Sequence, residues 1–373
     1  MAPNGDRARD DDACPGALRV HQAADGALVR VRLPGGMLTP ARLQTLAELA
    51  AGSGSGDLEL TSRGSVQIRG IADPGPLAGA LTEAGLLPSP THERVRNIVA
   101  SPLTGRSGGL ADVRGWVRAL DEALLADPHL AGLPGRFWFG LDDGRGDVSG
   151  LAADVGVQAL GDGRVAVLLA GADTGVRVPD SAAVDMLVDL ARRFLALRGA
   201  HWRVAELDDP AALLHGYPTE AAGRQRAVPV AHGPIGWIPQ DDGGLVTVGA
   251  GVPLGLLPAR TAEFLAAVEA PLVVTPWRSV LICDLPEQTA DTALRVLAPM
   301  GLVFDENSPW LAVSACTGSP GCERSLADVR ADAAAAARSG ATQRQHFAGC
   351  ERACGSPRDG RVWVATGGGY RPR

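Results

Sequence analysis

Lysine is missing altogether: the 35 basic residues of this 373-residue chain are all arginines. Genome base composition is sufficient reason for that. The chemical consequence holds regardless, because any carboxylate or phosphate gripped by this protein is gripped by planar guanidinium forks. A basic surplus is missing too. The formal net charge of −7 argues against general nucleic-acid binding, which needs a cationic face to displace counterions. No apolar run approaches the roughly 18 residues that would span a bilayer. The opening MAPNGDRARDDDACPG lacks the basic and apolar regions of a signal peptide, so a cytoplasmic location is expected, with residues 1–13 forming a disordered tail.

Cysteine is sparse but unevenly placed. Cys14 and Cys283 stand alone and read as small buried hydrophobes. The other four crowd into C-x5-C (Cys316, Cys322) and C-x3-C (Cys350, Cys354) near the end of the chain. In a reducing compartment such clustering favours metal or redox chemistry over disulfides. Four thiolates are the ligand set of a four-iron, four-sulfur cluster, and Gly, Ser and Pro around them allow tight turns whose amides point at sulfur. Structural zinc is the main competitor, although its cysteine pairs are usually closer in sequence. Two disulfides and four unconnected core cysteines are the remaining alternatives. Cys322 directly precedes the helical pattern ERSLADVRADAAAAARSG, whose positive end is expected to lower a thiol pKa.

The chain also repeats itself. ALVRVRLPGG pairs with GLVTVGAGVP, and Pro40-Ala41-Arg42 with Pro258-Ala259-Arg260, each opening a helical pattern. ELTSRGSVQIRG lines up with VVTPWRSVLICD, and IVASPLTG lies on LAVSACTG, placing Leu103 against Cys316. Each copy reads as strand, helix, strand, helix, then an extended stretch into a second α+β segment. The first such segment offers helices DVRGWVRALDEALLA and AVDMLVDLARRFLALRG and strands RFWFGLDD and RVAVLLAG. Stretches near Asp73–Pro76 and Pro229–Pro239 read as turns or linkers. The cysteine set belongs to the second copy. Arg30, Arg32, Arg63 and Arg69, which face Thr247, Gly249, Trp277 and Cys283 in the alignment, belong to the first. Alternation puts Arg30 and Arg32 on one strand face with Val29 and Val31 on the other. Converging guanidiniums suit carboxylate capture, and an ordinary solvated sheet face is the plain alternative. Arg96 and Arg136 join the candidate set, with Arg19 and Arg94 weaker.

ACTGSPGC followed by HFAGCERACGSP resembles the cluster signature of the sirohaem-dependent nitrite and sulfite reductases, and RVRLPGG, ELTSRGSVQIRG and VRNIVASPLTG resemble their half-domains. The resemblance implies an α+β, pseudo-two-fold duplicated architecture of ferredoxin-like half-domains (14–90 and 223–304) and α+β domains of the cluster-binding type (91–222, and 305–373 with the cluster). It implies a 4Fe-4S cluster on Cys316, Cys322, Cys350 and Cys354 and a carboxylate-rich tetrapyrrole held by Arg30, Arg32, Arg63, Arg69, Arg96 and Arg136. Short length, the opening Cys14-Pro15-Gly16, and Trp138 where reductases usually place a second basic residue after Arg136 favour a branch that oxygenates the tetrapyrrole. Its partners would be dioxygen and NADH-derived electrons passed by a reductase, with neither nucleic acid nor membrane. An additional mononuclear non-haem iron is implied without assignable ligands; His21, His201, His232 and His346 are eligible, each also fitting a structural or surface place. The alternatives are a sirohaem-dependent nitrite or sulfite reductase and, from another class, a non-catalytic electron-transfer or zinc-binding protein. No catalytic residue is assigned, and GGGY near the C-terminus opens no helix and does not read as a nicotinamide site.

Overall fold

The computed structural model describes Asp12, residues 14–220, Val230, residues 232–357 and residues 359–373. The expected tail lies outside these residues except for Asp12, and there the expectation is corrected. Asp12 is buried, its carboxylate accepts from Cys14 N at 3.0 Å, and its carbonyl accepts from Arg94 at 2.8 Å.

The first half-domain runs β1 (His21–Ala23), β2 (Gly26–Val31), β3 (Met37–Leu38), α1 (Pro40–Ser53), β4 (Asp57–Leu60), β5 (Val66–Ile71) and α2 (Pro74–Glu83). Thr39 caps α1 by accepting from Arg42 N, and Pro40 fits the first turn, where no amide partner is needed. Leu43, Leu46, Ala47 and Ala50 recur at helical spacing and are buried on one stripe.

The chain then builds β6 (Ile98–Ala100), α3 (Arg114–Ala126), β7 (Phe139–Asp142), β8 (Val155–Ala159), β9 (Arg164–Leu169), β10 (Ala172–Pro179) and α4 (Ala183–Leu197). One sheet holds all five strands in the order β10-β9-β8-β7-β6, with β6, β7 and β8 mutually parallel. Phe137 meets Phe139 edge-on at 5.2 Å and Phe194 of α4 at 4.8 Å, so aromatic packing ties helix to sheet.

The second half-domain repeats the first as β11 (Gly236–Pro239), β12 (Val246–Gly251), β13 (Leu256–Pro258), α5 (Ala259–Ala266), β14 (Leu272–Val274), β15 (Ser279–Leu285) and α6 (Glu287–Leu297). The stretch expected to be a linker ending at Pro239 therefore supplies a strand, with Trp237 paired to Val248 of β12. The chain closes with α7 (Pro309–Ala312), β16 (Val313–Ala315), α8 (Val329–Arg338), β17 (Gln345–Ala348), β18 (Arg361–Thr366) and β19 (Gly369–Pro372), whose sheet runs β16-β17-β18-β19.

The half-domains trade strands. β13 of the second completes the first sheet, in the order β1-β2-β5-β4-β13, and β3 of the first completes the second, β11-β12-β15-β14-β3. Their apolar faces join in one core, with Val29, Leu46 and Ile68 in the same cluster as Val248, Leu265 and Ile282. Contacts divide the chain into two compact units, Ala17–Leu87 with Ala231–Arg373, and Met1–Gly16 with Pro88–Val230. Among the described residues no helix is long and apolar enough to cross a membrane.

Candidate metal centre

β16 delivers Cys316 at its end. Cys316 N continues the parallel ladder by donating to Phe347 O at 3.0 Å, and Gly349 N, just past β17, donates to Cys316 Sγ at 3.2 Å. Cys322 N donates to Gly318 O at 2.8 Å, which curls the C-x5-C segment back on itself. Gly318 has φ +74°, and a Cβ there would meet Val329, so glycine is required by both backbone and space. Leu326 N donates to Gly349 O, and a Cβ on Gly349 would collide with the Ser325 hydroxyl. The two cysteine loops are locked together at these points.

The four thiols lie close enough to feel one another. The Cys354 thiol is pushed up by burial and then by Cys316, Cys350 and Cys322, with Arg352 opposing. Crowded thiols hold their protons until a metal displaces them. A single zinc with Zn–S bonds of about 2.3 Å would hold sulfurs roughly 3.8 Å apart. Four soft sulfur donors, with an amide already aimed at one sulfur, also fit an iron–sulfur cluster.

Two sequence expectations about this loop are corrected. α8 begins at Val329 behind the cap residue Asp328 rather than directly after Cys322. The Asp328 side chain accepts from Ala331 N, and Ser325 Oγ donates to Ala327 O, which holds the intervening residues in turns. The counterpart of Cys316 is also Ser101 rather than Leu103. Ser101 N donates to Leu141 O at 3.1 Å, and Asp143 N donates to Ser101 Oγ at 3.1 Å, reproducing the pattern of Cys316, Phe347 and Gly349. A short strand aligned on its Thr-Gly ending slips by two residues without violating alternation.

His346 on β17 is fully buried. Its Nε2 donates to Cys354 O at 3.1 Å, and Nδ1 accepts from the Ser314 hydroxyl at 2.9 Å. Burial, then the nearby Arg278 cation, depress its pKa to about 4. It is a neutral strut for the C-x3-C loop.

The arginines fall into three groups. Val29 and Val31 are buried as alternation requires, Arg30 bonds Gln67 Oε1 at 3.1 Å, and Arg32, just past β2, is 2% exposed. Arg63 sits half-buried in the turn between β4 and β5, its amide donating to Thr61 Oγ1. Arg69 departs from the expected face. Pairing slips between Ala27–Ile71 and Val29–Ile68, a bulge in β5 that turns Arg69 inward. There it forks onto Asp25 at 2.9 and 3.0 Å and donates to Gly321 O at 2.8 Å. It is a buried tie to the C-x5-C loop rather than a free fork for substrate. Arg96 is likewise engaged, both of its bonds to Asp121 of α3 measuring 2.6 Å. Arg136 is half-exposed, stacked over Trp202 and 3.6 Å from Asp12. Trp138 is packed with Val99, Val148 and Ala153, so its ring lines a core and not a ligand pocket. Arg96, Arg136 and Trp138 all belong to the second compact unit, apart from the other candidates.

Residues 20–74 match the nitrite/sulfite reductase ferredoxin-like half domain. The fold is that of NirA from Mycobacterium tuberculosis, with a TM-score of 0.77 over 93% of this chain and 73% of that one, at 19% identity. Duplicated half-domains, each followed by a further α+β segment, and this likeness define an α+β fold built on the ferredoxin-like half domain and shared with NirA. The sequence resembles precorrin-3B synthase from a Sinorhizobium species, 27% identical over 93% of this chain and 78% of that one. A ferredoxin–nitrite reductase from Leptolyngbya laminosa is 28% identical over 88% and 74%.

Proposed function

We propose that the chain acts as a precorrin-3B synthase of oxygen-requiring cobalamin biosynthesis. Precorrin-3A, a tetrapyrrole rich in carboxylates, would be the substrate. One atom of dioxygen would enter the macrocycle with closure of a lactone, and the other would leave as water, at the expense of two electrons and two protons. The observation that carries this reading is the likeness to precorrin-3B synthase along 93% of the chain, joined to four thiols in the loops that follow β16 and β17.

Cys316, Cys322, Cys350 and Cys354 would hold a 4Fe-4S cluster, which when bound supplies single electrons. Those electrons would come from NADH through a partner reductase. Arg30, Arg32 and Arg63 would pin substrate carboxylates by charge-assisted bonds. Arg69 and Arg96 support the scaffold through Asp25 and Asp121. No nucleic-acid or membrane partner is proposed.

The second reading is a sirohaem-dependent nitrite or sulfite reductase, favoured by the comparable likeness to the Leptolyngbya nitrite reductase and by the complete cysteine set. Absorption of protein purified without oxygen, with iron and sulfide counted, separates the two. A broad iron–sulfur shoulder and turnover of precorrin-3A under air are expected, and strong sirohaem bands would hand the case to the reductase. Arg32→Ala with Arg63→Ala should abolish tetrapyrrole binding at unchanged iron and sulfide content; intact binding removes those arginines from the site.

A further inference from the structure

Two turns of the half-domains share a backbone and differ at the residue that takes its left-handed position. Between β4 and β5, Thr61 N donates to Ser65 O at 2.9 Å and Gly64 N to Thr61 O at 3.2 Å. Between β14 and β15, Thr275 N donates to Ser279 O at 2.9 Å and Arg278 N to Thr275 O at 3.2 Å. Gly64 has φ +62° and Arg278 has φ +58°. A left-handed backbone is natural for glycine and disfavoured for arginine, so an arginine held there calls for a compensating interaction.

Its side chain shows where that interaction lies. The stem passes Gly255, where an added Cβ would stand 2.8 Å from Arg278 Cδ. Nη2 then reaches Gly355 O at 3.4 Å, one residue beyond Cys354. Arg344 repels it and Glu59 attracts it. Glu59 is bonded to Arg330 and lies 3.9 Å from Arg69. No described carboxylate comes within salt-bridge distance of the Arg278 guanidinium. The side chain is half-buried, and its guanidinium stands against the backbone that directly follows Cys354, so a charge held there acts beside the four thiols.

We propose that Arg278 is the counter-cation of the metal–thiolate centre and a positioning residue that raises the cluster's reduction potential. This rests on the cluster reading above. A four-iron core held by four thiolates is a net anion, and an added electron makes it more negative. A fixed positive charge beside it therefore favours the reduced state. The electron comes from the external reductant, and Arg278 keeps its proton throughout.

The test compares Arg278→Gly with Arg278→Lys in the full-length protein carrying its cluster. Glycine removes the charge and suits the left-handed backbone, as Gly64 does; lysine keeps the charge. Iron and sulfide are counted, and the cluster is then titrated with dithionite and mediators. Arg278→Gly should weaken reduction at least tenfold, a fall of about 59 mV for one electron, and Arg278→Lys should restore most of it. Loss of the cluster from the glycine variant alone would also support the countercharge. An unchanged potential in Arg278→Gly, with or without weaker tetrapyrrole binding, overturns the proposal. So does loss of the cluster from both variants, because charge would then not be what matters. Wild-type protein lacking iron and sulfide overturns the cluster reading itself, and this inference with it.

Discussion

The loops after β7 and β17 start from the same hydrogen-bond pattern and reach opposite ends. After β7 a single carboxylate organises everything. Asp142, fully buried, accepts from Gly144 N and Gly146 N at 2.9 Å, from Val148 N at 3.0 Å, and from Ser149 N and Oγ at 2.8 Å. Asp143 forks onto Arg145, and Asp147 accepts from Ser101 at 2.6 Å. That loop is closed within itself. After β17 no carboxylate stands at the centre among the described residues; Gly349 N bonds a sulfur, and Cys350 and Cys354 flank a short turn. The second loop presents donor atoms whose natural partner is a soft metal. One scaffold thus supports a self-satisfied acidic loop and a thiol loop completed from outside.

The largest effect should come from making the second loop resemble the first. Cys316→Ser keeps a γ-atom for Gly349 N, as Ser101 does for Asp143 N, but withdraws a soft ligand. Iron and sulfide should fall to background while far-ultraviolet circular dichroism stays unchanged. A Cys316→Ser protein retaining a full complement would remove the cysteines from the proposed site.

Next comes Asp142→Ala, which leaves the buried amides of Val148 and Ser149 and the half-buried amides of Gly144 and Gly146 without an acceptor. Each orphaned group costs about 1–3 kcal/mol before relaxation, so a loss of roughly 3–5 kcal/mol is expected for the unit containing β7. Amide exchange along β7 and β8 should accelerate accordingly, with Asp142→Asn falling between the two. If exchange there is unaltered, Asp142 does not hold the loop.

The contrast between the loops was only half legible in the sequence. Cysteine is rare enough that C-x5-C and C-x3-C declare themselves. Aspartate is common, and D-D-x3-D after a strand is easily taken for a solvated turn; only the parallel place after β7 gives it meaning. The paired strand–helix blocks of the half-domains were readable from periodicity, because packing enforces it. The exchange of β3 and β13 was not, since each is only two or three residues long and its partner is chosen by tertiary packing. Alternation also named the arginines without seeing the bulge that turns Arg69 toward Asp25, or the carboxylate Asp121 waiting for Arg96. Arg278 escaped because nothing in TPWRSV announces a left-handed φ.

Opposite pH responses sharpen the comparison. Burial, then the charge of Asp142, raises Asp147 from 3.8 to about 7, against Ser101 and Arg145, which pull it down. The folded first copy therefore binds an extra proton between about pH 4 and 7. Its stability is greatest below the lower bound and falls as pH rises, by up to about 4 kcal/mol at 1.36 kcal/mol per unit. His346 behaves in reverse. Its depressed pKa of about 4 means the unfolded chain takes the proton first, so stability near β17 is lost as pH falls from about 6.5 to 4, by up to about 3 kcal/mol. Amide exchange read separately along β7 and β17 should show these two slopes with opposite signs. Parallel slopes would mean that neither group governs its loop, and Asp147→Asn should flatten the first slope alone.

The smallest effect tests whether Ser101 is the hinge of the comparison. Its hydroxyl accepts from Asp143 N at 3.1 Å and donates to Asp147 at 2.6 Å. Ser101→Ala removes both, at a cost of about 1–2 kcal/mol from one orphaned amide and one lost bond. It also removes the strongest of the interactions that lower the Asp147 pKa. The pH window of the first copy should then extend upward beyond about 7, while the β17 response stays fixed. Ser101→Cys should recover part of the stability, since a thiol can still accept weakly from Asp143 N, and it should bind no iron, because the carboxylates opposite are committed to Arg145 and to backbone amides. Iron bound by that variant would show that a sulfur at the strand end is sufficient to seed a centre. The difference between the two loops would then reside in one atom rather than in the whole loop.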